Sequence, residues 1–136
     1  MPAPAPFDYA VLRVVPRVER EEFMNVGVVL HAPTRAFLGC ELALDRARLA
    51  VLAPELPAAA LAELDAHLAG WRSVCGGEAA AGPIARLSPS ERFHWLVAPR
   101  STMLQTSAVH GGITDDPAAA LRRLFAKLVA NPGGVT

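Results

Sequence analysis

The sequence carries no excess of charge: 13 basic and 13 acidic residues cancel over 136 positions. A neutral chain has no general field to hold a nucleic-acid backbone, so binding of that kind needs a local basic patch. Cysteine is scarce, with Cys40 and Cys75 alone and no CxxC. That excludes a disulfide framework and points to reduced thiols in the cytoplasm. No apolar run approaches the roughly 20 residues that cross a bilayer; Val26–Leu30 is typical. The start, Met1–Pro6, has neither the basic nor the apolar region of a secretory signal. Lysine is nearly missing, Lys127 being the only one. With the alanine-rich helices, this arginine bias reads as GC-rich coding rather than selection for phosphate recognition.

Familiar catalytic signatures are missing too. There is no phosphate-cradling GxxxxGK loop, no GxGxxG, no GxSxG elbow and no HExxH. His31, Cys40, His67, Cys75, His94 and His110 lack ligand spacing, so no metal and no cofactor are expected.

What is present is a globular composition, 52% hydrophobic and 19% charged. At this length the chain makes one domain over residues 1–136, with 1–6 a flexible Pro/Ala-rich leader. Phe7–Val15, Phe23–His31 and Ala36–Leu42 read as strands by their β-branched and aromatic content, with Ala32–Arg35 as a turn between the last two. Strict alternation puts Met24, Val26, Val28 and Leu30 on one face. Asp45 caps a short helix that ends before Pro54. Leu61, Leu64, Leu68, Trp71 and Cys75 form the stripe of a longer helix stopped at Gly76–Gly77, and this stripe should cover that strand face. Ser88 to Glu91 is a capping box, and the segment 92–97 fits either helix or strand. Thr102–Val109 is β-compatible, His110–Gly112 reads as a turn, and Asp115 or Asp116 caps a last helix from Pro117, stopped at Asn131–Gly134. The order predicts an α+β fold: an antiparallel sheet built of a three-strand meander and a later returning strand, with helices mainly on one face.

Two polar groupings stand out. Arg13 is the one charge within the apolar run Tyr9–Val15, and Asn25 and His31 punctuate the next strand, with Gly27 leaving space between them. An arginine fork and a carboxamide in a partly dry niche can hold a carboxylate or phosphate. The plainer reading pairs Arg13 with Glu21 or Glu22 and gives Asn25 a backbone partner. The second grouping is Arg100, Ser101 and Thr102 with Gln105, Ser107 and His110. It can grip an anion, though a lone histidine at a turn is more often solvated and inert. Asp115–Asp116 is better read as a helix cap than as a carboxylate pair.

Tyr9–Pro16 running into Phe23–Leu30, Arg92–Leu96 through Pro99–Thr102 to His110, and the Asp115–Asp116–Pro117 helix start together resemble the bacterial domain-of-unknown-function family 3037. The likeness covers nearly the whole chain. The family implies no established activity, but the resemblance implies a neighbour, a kinase-like protein of the HipA type. Its recurring Arg–Asn–Gly and Pro–Arg–Ser blocks fall on Arg13, Asn25, Gly27, Arg100 and Ser101. The expected function is a non-catalytic accessory or protein-interaction module. The alternative is a small enzyme or anionic-ligand binder using Arg13, Asn25, Gly27, Arg100, Ser101 and His110. Nucleic-acid binding through Arg122, Arg123 and Lys127 is the weakest reading, and no membrane partner is expected.

Overall fold

The computed structural model describes residues 3–100 and 102–130. Three strands open the chain: β1 (Ala5–Val14), β2 (Met24–Ala32) and β3 (Phe37–Leu42). Helices α1 (Arg46–Leu52), α2 (Ala58–Gly76) and α3 (Pro89–Leu96) follow. Two short strands, β4 (Leu104–Thr106) and β5 (His110–Thr114), precede α4 (Pro117–Phe125), which runs on into a wider π turn at Ala126–Ala130. The sheet is antiparallel, in the order β3-β2-β1-β4, with β5 also on β1. β1 is long enough to pair with β4 through Leu12–Val14 and with β5 through Ala5–Tyr9. The fold is α+β, as its sequence pattern predicts. No helix among the described residues is long and apolar enough to cross a membrane.

The helix ends follow local chemistry. Asp45 and Asp116 each accept an N–H from the first turn, from Arg48 and Ala119. Ser88 and Glu91 form the reciprocal capping box, which settles residues 89–96 as helix. Gly77 closes α2 in the left-handed region at φ 68°, its N–H reaching the carbonyls of Ser73 and Val74.

Two apolar clusters lie on opposite faces of the sheet. On one, Leu64, Leu68, Trp71 and Cys75 of α2 and Phe93 and Leu96 of α3 pack on Ala10, Leu12, Val14, Met24, Val26 and Val29. On the other, Ala120, Leu121 and Val129 cover Val28, Leu30 and Ala32. The expected single face of Met24, Val26, Val28 and Leu30 is therefore divided. The cause is a bulge: Leu12 pairs with Gly27 and Arg13 with Asn25, so Val26 is an extra residue that reverses the alternation. Two other expectations change. His110–Gly112 is strand, because the first half of β1 takes it as a partner. Ala5 and Pro6, assigned to the leader, pair with Thr114 and Ile113. The expected stop at Asn131–Gly134 lies outside the described residues.

Candidate binding cleft

A gap lies between α2 and the short strand β4, only three residues long, residues of both lining it. The gap is a cleft of about 460 Å³. Leu12, Leu104, Trp71 and Val74 form its apolar floor; His67 and Gly70 of α2 stand on one side, and Trp95, Arg100, Thr102, Gln105 and Thr106 on the other. An apolar hollow rimmed by a few polar groups is the ordinary shape of a ligand site.

Helix α3 supplies the aromatic wall. Phe93 and Leu96 are buried in the core, which turns Trp95 outward at 39% exposure. Arg100 stacks on that ring, its guanidinium carbon 4.7 Å from the centroid. One Nη donates to the carbonyls of Leu96 and Ala98, and the other to that of Trp95. Arg100 thus satisfies the free carbonyls at the end of α3 and carries a fixed positive charge into the cleft. Burial draws its pKa down from the ordinary arginine value.

Gly70 shapes the opposite wall. A Cβ at this position would meet nothing within 4 Å. Glycine inside a helix costs roughly 0.5–1 kcal/mol relative to alanine, and no packing demand in the fold requires it here.

A second cavity, of about 220 Å³, adjoins the cleft and shares Arg100 and Gln105 with it. Arg13, Val15, Val18, Glu21 and Phe23 complete its lining. The Arg13 guanidinium lies over the Phe23 ring, 4.0 Å from its centroid. Its Nε is buried without a hydrogen-bond partner. The expected pairing with Glu21 or Glu22 does not form: Glu22 is held by Arg20 at 2.8 Å and by Arg17 at 3.5 Å, and no salt bridge from Arg13 occurs among the described residues.

The structure brings Arg13 and Arg100 together and separates the other candidates from them. The bulge keeps Asn25 on the Arg13 face, but its side chain turns to the π turn that follows α4, where Nδ2 donates to the Leu128 carbonyl at 3.1 Å. It lines a different cavity, with Asp45, Arg48 and Val129. Gly27 does not leave open space. A Cβ there would lie 2.2 Å from Leu42 Cδ2 and 2.9 Å from the Glu41 carbonyl oxygen, so the glycine serves strand packing. His31 lies on the other face, buried against the Phe93 ring at 5.2 Å. His110 is exposed on β5 beside Tyr9, at 5.5 Å between rings. Ser101 lies outside the described residues. Sequence reasoning missed His67, Gly70, Trp95 and Thr106 as cleft residues. The available signals were a glycine inside a helix and a tryptophan off the buried face of its own.

These features define an open-sheet α+β domain with an arginine-rimmed apolar cleft at one sheet edge. The chain belongs to the family described as Protein of unknown function (DUF3037), which it matches over residues 9–129. No curated protein and no solved structure matches it.

Proposed function

We propose that the chain is a bacterial, cytoplasmic, non-catalytic interaction module whose cleft receives an apolar side chain of a protein partner. The observation that carries this reading is Gly70, a helix-interior residue that keeps one wall of the cleft open while costing helix stability. Trp95 and Arg100 on the facing wall add weight, since half-exposed tryptophan and arginine beside a hollow are the residue types that dominate binding energy at interfaces. A kinase-like protein of the HipA type, drawn from the family resemblance, is the first partner to try.

The test is a plug. Gly70→Leu places a side chain in the cleft, whereas Gly70→Ala adds only a methyl group. Both variants should melt at or above the wild-type temperature. In mild lysates of the source organism, wild type should co-purify with a defined partner that Gly70→Leu loses. Recovery of a solitary monomer from wild type, or equal recovery by Gly70→Leu, would overturn the reading.

The second reading is a small binder of anionic ligands. Arg13 and Arg100 on one cavity favour it in reduced form; Asn25 and His110 have other surroundings.

A further inference from the structure

The cavity beside the cleft has an unusual cation. Arg13 is half-buried, lies over the Phe23 ring, has no acidic partner among the described residues, and has a buried Nε without an acceptor. A buried donor left unsatisfied costs more than a typical hydrogen bond returns, so such a group marks a place where an acceptor belongs. Arg100 stands on the same wall, but its Nη atoms are engaged by the carbonyls of residues 95, 96 and 98. It contributes charge, and Arg13 contributes the available N–H groups. Glu21 is the one acid in the lining, against two arginines, so the cavity is net positive. Gln105, whose Nε2 is held by the Thr102 carbonyl at 2.7 Å, stands between this cavity and the cleft.

We infer that the Arg13 cavity is a carboxylate subsite of the cleft, so that the recognised group is an apolar side chain with a carboxylate close to it in the same segment. This rests on the proposed use of the cleft and specifies its ligand. The planar guanidinium fork matches a carboxylate in two parallel hydrogen bonds, and Phe23 keeps water from one of its faces. The carboxylate is either a chain terminus or an acidic side chain, and both present the same two oxygens.

Small probes separate the parts. N-acetyl-leucine carries the apolar group and a terminal carboxylate; N-acetyl-leucinamide carries the apolar group alone; N-acetyl-leucyl-aspartic acid α-amide, with its side-chain carboxyl free, moves the carboxylate to a side chain. Binding is followed by tryptophan fluorescence, since Trp71 and Trp95 both line the cleft, and by the Nε–H resonance of Arg13. At least one carboxylate probe should bind about tenfold or more tightly than the amide, a difference on the scale of a charge-assisted hydrogen bond. It should also shift the Arg13 resonance. Arg13→Gln should abolish that preference and leave amide binding unchanged, and a melt checks that the variant is folded. Gly70→Leu should weaken all three probes. If amide and carboxylates bind equally and Gly70→Leu weakens them alike, the carboxylate subsite is refuted while the cleft stands. If no probe perturbs either tryptophan, both fail. Preference for the terminal over the side-chain carboxylate identifies a chain end as the ligand, and the reverse identifies an internal acidic residue.

Discussion

Leu64→Ala tests the packing on which the cleft is built. Leu64 is 2% exposed and belongs to the cluster between α2 and the sheet. The substitution removes three carbons, each worth about 0.8 kcal/mol of transfer free energy. That alone gives about 2.4 kcal/mol, and the cavity left in a close-packed cluster raises the expected loss to about 3–4 kcal/mol. A domain of this size holds roughly 5–15 kcal/mol in total, so the change is a large fraction of its stability. With a urea dependence of about 1–3 kcal/mol per molar, the midpoint should fall by about 1 M or more. Glu63 is adjacent in sequence but exposed, so Glu63→Ala should stay within about 0.5 kcal/mol of wild type. Paired urea melts decide the matter. Equal midpoints for the two variants would show that α2 does not present this face to the sheet.

Acid should weaken the fold through His31. Burial against Phe93 holds its pKa below the ordinary value, which outweighs the opposing influence of Asp8. The unfolded chain therefore binds more protons, and stability falls as pH drops below the unfolded value of about 6.5. His31→Leu should flatten that part of the profile in melts at stepped pH, and an unchanged slope would refute the assignment. The two thiols should differ in reactivity. Cys40 is half-buried and Cys75 buried, and the interaction between the two thiols holds the Cys40 pKa down and pushes that of Cys75 up. Iodoacetamide on folded protein should thus mark Cys40 first, with peptide mass spectrometry showing the order; equal labelling would contradict it. Ser88→Ala removes the capping hydroxyl of α3 and should cost about 1 kcal/mol. A melt indistinguishable from wild type would mean that the cap adds nothing.

Much of the fold was legible because its signals are local. Asp45, Ser88 with Glu91, Gly77 and Asp116 mark helix ends through atoms a few residues apart. Val26 was not legible as a bulge. β2 is buried on both faces, with Val28, Val29 and Leu30 in a row, so its alternation shows no break at the inserted residue. His110–Gly112 carries turn chemistry, yet it is held extended by pairing with Phe7, Asp8 and Tyr9, about a hundred positions earlier. Of the candidate site, Arg13 was legible as the one charge in an apolar run, and Arg100 as an arginine beside a cluster of hydroxyls. The cleft itself was not. It is lined jointly by β1, α2, the end of α3 and β4, segments far apart in the chain, and only Gly70 and Trp95 mark it locally.

The bulge at Val26 also orders how the molecule comes apart. Beyond it β2 turns Val28, Leu30 and Ala32 to α4, and before it Met24 and Val26 to α2 and α3. The β1–β2 ribbon is therefore the common wall of both clusters, and its amides are released to solvent only when both are lost. Undocking of α4 exposes the smaller cluster alone, whose buried members are six. Partial openings of this kind lie below global unfolding in free energy. In deuterium exchange, α4 should form a fast cooperative block and the ribbon the slowest one. The helix that covers Asn25 and anchors its amide is then free to lift while the cleft on the other face keeps its shape.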